Sequence, residues 1–153
     1  MNVDKNIKRL ISYYTRLFGT NDPRRIAEEL GICIVTMPLG NALGHYRYMK
    51  RKKWIFINED IAENEALFQV VLAHELGHAV LHWKENCCFM AHHTLILTSK
   101  IERQANAFAA YLLITDELLR EYAGSTKDQF CNCTGYPEEL IELRAGRQEE
   151  SCL

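Results

Sequence analysis

The sequence contains no apolar run near the roughly 18 residues that a membrane-spanning helix needs; its longest cover residues 68–73 and 108–114. Residues 1–10 are polar and charged, with no apolar core after them, so no export signal is expected. An excess of one charge is missing as well. The chain carries 18 Lys and Arg against 20 Asp and Glu, a formal charge of −2. That balance argues against a protein that coats nucleic acid or anionic lipid. Direct contact with nucleic acid or membrane is therefore not expected, and a soluble, cytoplasmic protein is. There is no C-x-x-C pair among the six cysteines, which stand at 33, 87, 88, 131, 133 and 152. The spacing of a zinc ribbon or redox pair is thus absent, and reduced, free thiols are expected in a reducing compartment. Internal repeats and low-complexity segments are also absent.

What is present is an ordinary globular mixture, 48% hydrophobic and 25% charged over 153 residues. This length favours one domain, expected over residues 1–146, followed by a polar tail at 147–153. Residues 3–18 place Ile7, Leu10, Ile11, Tyr14 and Leu17 at three- and four-residue steps, an amphipathic helix ended by Gly19. Asp22-Pro23 caps and starts a short helix over 23–30, with Gly31 as its stop. Arg25 to Ile32 looks like the first half of a helix-turn-helix. Where a recognition helix should follow, the β-type run 32–37 appears instead, so no element is left to enter a groove.

Two more strands, 42–49 and 54–58, flank the basic run Lys50-Arg51-Lys52-Lys53, which reads as a solvated hairpin tip. The expected sheet is thus small, three-stranded and antiparallel, with 42–49 at its edge. Residues 65–82 are helical and too apolar for a surface helix, so this helix is expected to be central. Residues 87–97 read as a loop, and a long helix follows over 99–114. A short helix is expected from 115 to 123, a turn-rich stretch over 124–136 and a last helix over 137–145. The fold class is α+β.

The chemistry lies in His74-Glu75-Leu76-Gly77-His78, an H-E-x-x-H motif on the central helix. At about 100° per residue, His74 and His78 stand about 40° apart, one turn above each other, where two imidazoles can bind one Zn²⁺. Glu75 projects beside them, placed as a general base for a metal-activated water. A catalytic zinc needs a third protein ligand. The metzincin pattern would require glycine at 81 and histidine at 84, and these are Leu81 and Lys84. Glu102, opening an apolar helix with small Ala105 and Ala109 on its face, is the carboxylate candidate. It also completes the capping box Ser99-x-x-Glu102, which would turn it to a backbone N–H instead. His82, His92 and His93 are rival ligands.

His74-Glu-Leu-Gly-His-Ala-Val-Leu-His82, followed by Glu102-Arg-Gln-Ala-Asn-Ala-Phe-Ala-Ala-Tyr-Leu-Leu113, resembles the ImmA/IrrE family of metallopeptidases. The likeness extends upstream through Asp22-Pro23, Ile26 to Ile32, Pro38 to Gly40 and Ile55 to Asn58, about residues 20–116 in all. It implies a gluzincin-type zinc endopeptidase of mobile elements, with His74, His78 and Glu102 as ligands and Glu75 as the base. It also implies a protein substrate, a helix-turn-helix repressor whose cleavage derepresses phage or mobile-element genes. The sequence departs from the family at Gln104, where a second glutamate is frequent, and at Ile114-Thr115 in place of Met-Pro. The candidates for an oxyanion donor are His45, Tyr46, His82, His92 and Tyr111. The competing class is a binding-only regulator that sequesters a transcription factor, its zinc merely stapling the fold.

Overall fold

The computed structural model describes residues 3–90 and 99–146. Helix α1 (Val3–Phe18) opens the chain, burying Ile7 and Ile11 and half-burying Leu10, Tyr14 and Phe18. Leu17, expected in that stripe, is 56% exposed. By helical rotation Phe18 falls near the centre of the Ile7–Ile11–Tyr14 stripe and Leu17 outside its edge. Phe18 takes the place, stacked on Tyr14 at 6.0 Å. Helix α2 (Pro23–Glu29) starts as its sequence dictates, with the Asp22 carboxylate accepting from Arg24 N–H at 3.0 Å and proline at the first position. Gly31, at φ +70°, turns the chain out of the helix and into β1 (Cys33–Met37).

Strands β2 (Ala42–Met49) and β3 (Lys52–Asn58) form the expected hairpin. Lys50 and Arg51 make its two-residue tip, both in the left-handed region at φ +51° and +61°, the conformation that matches the twist of paired strands. Lys53 does not share the tip's solvation: its Nζ donates to the Ala79 carbonyl at 2.6 Å. A cation there favours the C-terminal turn of the helix it reaches.

The sheet departs from expectation in three ways. It has four strands, in the order β1-β3-β2-β4, the last being β4 (Cys87–Met90) in the segment read as a loop. Four residues are too few for an alternation to show in sequence. Strand β1 pairs parallel with β3, because β3 returns from its hairpin into the space between β1 and β2. Strand β2 is consequently internal, paired with β3 on one side and β4 on the other, and not an edge. Asn58 ties the β1–β2 connection to the end of β3, donating to Gly40 O at 3.0 Å and Ala42 O at 2.8 Å.

Helix α3 (Glu65–Leu81) lies between the sheet and the remaining helices, buried continuously from Val70 to Ala79. Burial on every side explains why it lacks an amphipathic pattern. Beyond it come α4 (Lys100–Leu113), α5 (Asp116–Glu121), α6 (Lys127–Thr134) and α7 (Glu138–Ala145). Helix α6 replaces the expected turns. Thr126 and Gln129 close a reciprocal capping box at its start, and Gly135, at φ +76°, ends it. Phe130 anchors it, fully buried and edge-on to Tyr122. Both helix ends of α4 are held by side chains: Ser99 accepts from Glu102 N–H, and Arg144 of α7 donates to Ile114 O at 2.7 Å. No helix among the described residues is long and apolar enough to cross a membrane. Cys33, Cys131 and Cys133 are free thiols. The tail at 147–153 lies outside the described residues.

Candidate metal centre

The site forms where α3 meets α4. Gly77 is the contact point: a Cβ there would lie 3.1 Å from Ala105 Cα and 3.2 Å from Phe108 Cβ. With Ala105 and Ala109 also fully buried, the two helices pack at close range. Glu102 sits nearly one turn before Ala105, so this contact carries its carboxylate across to the histidines.

His74 and His78 stack along α3, both fully buried, with their Nε2 atoms 3.1 Å apart. Glu102 Oε2 lies 3.1 Å from His74 Nε2, and Oε1 lies 3.3 Å from His78 Nε2. These three side chains each offer one ligand atom within 4.8 Å of the others, the one such His/Cys/Asp/Glu group among the described residues. Only half of the expected capping box forms: the Glu102 backbone N–H donates to Ser99 Oγ at 3.3 Å, while its carboxylate faces the imidazoles and not a backbone N–H.

Burial alone would raise the Glu102 pKa. The neighbouring His74 and His78 overcome this and hold the carboxyl well below the ordinary range, so it is an anion at neutral pH. The His78 pKa is lowered as well, which for an imidazole favours the neutral form: burial is the largest cause, although Glu102 opposes it. An anionic carboxylate beside a buried imidazole that resists protonation is best neutralised by a metal cation. The outer hydrogen bond of His74 agrees. Its Nδ1 is 2.7 Å from the Oδ1 of fully buried Asn106, so Nδ1–H donates outward and Nε2 keeps its lone pair inward.

Glu75 is the remaining ionisable residue of the motif. Its side chain is fully buried, and neither oxygen has a hydrogen-bond partner among the described residues. Burial, and then the charge of Glu102, push its pKa well above the ordinary value. Strand β2 makes room for it. A Cβ on Gly44 would come within 3.1 Å of Glu75 Oε1 and 2.7 Å of Val71 Cγ1. A register shift between Ala42 and Gly44 marks a bulge at the same place.

The other sequence candidates go elsewhere. His82 places Nδ1 3.3 Å from His78 Nδ1 and Nε2 2.7 Å from Gln104 Oε1, beside the cluster and not in it. Tyr46 donates its hydroxyl to Trp83 O at 2.8 Å. His45 follows Gly44 on β2 and so faces the opposite side of the sheet from Glu75. Tyr111 lies under the cations of Lys8 and Arg144, towards α1 and α7. His92 and His93 lie outside the described residues. Sequence reasoning missed Asn106 and Gly44. An amide four residues after Glu102 within an apolar helix, and a glycine inside a strand, were the available signals.

The sequence has counterparts among known proteins. The profile of the peptidase family M78, described as the IrrE N-terminal-like domain, matches residues 27–129. The chain belongs to this family. It is similar to metallopeptidase ImmA of Bacillus subtilis (strain 168), with 35% identity over 144 residues, 92% of this chain and 84% of that protein. It is equally similar, at 35% over 141 residues, to the uncharacterized immunity region protein 2 of Bacillus phage phi105, covering 90% of this chain and 88% of the relative. As an M78 family member, the chain is a metallopeptidase. Its α3–α4 cluster is suited to a metal ion, and a protein is its class of substrate.

Proposed function

We propose that this M78 peptidase is a zinc-dependent, gluzincin-type endopeptidase in which His74, His78 and Glu102 hold the metal and Glu75 is the general base. The observation that carries this reading is the convergence of two imidazole nitrogens and an anionic carboxylate beside a buried carboxylate without donors. When bound, zinc supplies Lewis acidity, polarising the scissile carbonyl and making water acidic enough to be deprotonated near neutral pH. Glu75 takes the proton from the attacking water and returns it to the leaving amine. Its raised pKa suits a group that must hold that proton between the two steps. Asn106 keeps His74 oriented, and Gly44 keeps the space into which the Glu75 carboxylate projects.

The substrate we propose is a helix-turn-helix repressor of a phage or mobile element, whose cleavage derepresses that element's genes. The names of the two relatives support this, one a metallopeptidase and the other a phage immunity region protein. The half helix-turn-helix of the sequence runs into β1, with no recognition helix after it. The chain would therefore act on the repressor protein and not on its operator.

Metal analysis of the purified chain is the test. One zinc per chain, lost in His74→Ala and Glu102→Ala but kept in Glu75→Gln, is expected. Glu75→Gln should retain metal and lose cleavage of the cognate repressor by about 100-fold or more, as general acid–base catalysis is typically worth about 10²–10⁴-fold. Zinc unaffected by Glu102→Ala would remove Glu102 from the ligand set. Unchanged regulation by Glu75→Gln would favour a sequestering role over proteolysis.

A further inference from the structure

The third histidine of the His74–His82 segment is engaged on both ring nitrogens, and its contacts reveal a different task from ligation. His82 caps the C-terminus of α3, one turn after His78. Its Nε2 meets Gln104 Oε1 at 2.7 Å, and its Nδ1 meets His78 Nδ1 at 3.3 Å. An amide oxygen only accepts, so the His82 ring proton is on Nε2 and the His82 Nδ1 carries a lone pair. A contact between two ring nitrogens is a hydrogen bond only when one holds the proton. With His78 Nε2 facing the metal position between Glu102 and His74, the ring proton belongs on Nδ1, which donates to His82. That leaves the His78 Nε2 lone pair aimed at Glu102 Oε1, 3.3 Å away, and His74 Nε2, 3.1 Å away.

We infer that Gln104 and His82 form a two-step relay that holds His78 in its metal-binding tautomer and orientation. Both are positioning residues that lie outside the ligand set. Helix α4 thus contributes three groups to one centre. Glu102 faces the metal position, Asn106 orients His74 directly, and Gln104 orients His78 through His82. The arrangement also explains why His82 does not complete the coordination sphere: its one lone pair is spent on His78. This inference rests on the metal-site reading above.

Partners of this kind are typically worth 10–100-fold in metal affinity. Zinc affinity of the full chain, measured by competition with a chromophoric chelator, tests the relay without reference to turnover. Gln104→Leu removes the acceptor at nearly constant volume and should weaken zinc binding 10–100-fold. His82→Phe removes the middle of the relay and should do the same, guarding against a folding defect peculiar to position 104. Gln104→Glu restores an acceptor and should bind close to the parent, as should His82→Gln, whose amide can accept from His78 and donate to Gln104. Circular dichroism of the chelated proteins establishes that each variant is folded.

Parental affinity in Gln104→Leu, or an affinity in Gln104→Glu as weak as in Gln104→Leu, overturns the relay. Loss of zinc in His82→Gln with retention in Gln104→Leu also overturns it, making His82 a ligand. A parent chain that takes up no zinc overturns the site itself, a result distinct from failure of the relay alone.

Discussion

Glu75 is the residue at which folding and function are most directly opposed. A carboxylate in a fully buried position without donors costs stability whenever it is ionised. Its folded-state pKa is raised by burial and by Glu102. Protonated Glu75 therefore stabilises the fold fully only below the unfolded value, about 4.3, and that contribution is lost as pH rises through the folded value. Glutamine mimics the protonated form at every pH. In chelator-treated protein, Glu75→Gln should melt several degrees above the parent at pH 7, with the gap closing as pH falls towards 4. Glu102, whose shift is in the opposite direction, is common to both proteins and does not create the difference. Parallel melting temperatures across that range would show that Glu75 ionises as if exposed.

Much of this centre was legible in the sequence, because H-E-x-x-H spacing is local geometry and Glu102 opens a recognisable helix. The relay was not. Gln104 and His82 are 22 residues apart, and only the packing distance between α3 and α4 decides whether they touch. Asn106 was hidden for a related reason: a buried amide carries no signal of what it bonds to.

Among the elements, the seam between β2 and α3 sets where the Glu75 carboxylate can stand. Gly44 is buried, adjoins the bulge and faces Val71 and Glu75, so it is the absence of a side chain that matters there. Gly44→Ala should leave zinc content unchanged while lowering kcat by about 100-fold, the scale expected when a catalytic group moves by about 1 Å. The added methyl also meets Val71 Cγ1, so the double variant Gly44→Ala/Val71→Ala relieves that clash and keeps the one with Glu75. Recovery of stability without recovery of kcat is the expected result. Recovery of both would assign the effect to packing against Val71. The identity of the edge strands belongs to the same scale. Strand β2 was read as an edge because β4 offers only four residues, and a strand's neighbours are fixed by partners that its own pattern does not name.

At the scale of the molecule, the α+β class and most element boundaries followed from periodicity and caps, whereas the parallel β1–β3 pair required knowing that β3 inserts between β1 and β2. The resulting architecture puts the metal position on the boundary between two halves. Helix α3 rests on β2 and β3, while α4 supports α1 and α7 on its far side. Across the centre, His74 and His78 belong to the first half and Glu102 to the second. A bound ion should therefore act as a cross-link between them. At a free zinc concentration about 1,000-fold above Kd, binding to the folded state alone adds about 4 kcal/mol. For a chain of this size, that corresponds to about 8–16 °C in melting temperature. Zinc should raise the parent's Tm by that amount, chelation should reverse it, and Glu102→Ala should abolish most of it. Hydrogen exchange should show protection gained on zinc binding at the first turn of α4, where the carboxylate is recruited. Protection confined to α3, with Tm still rising in Glu102→Ala, would mean that the ion is held by the histidines alone and does not cross-link the two halves.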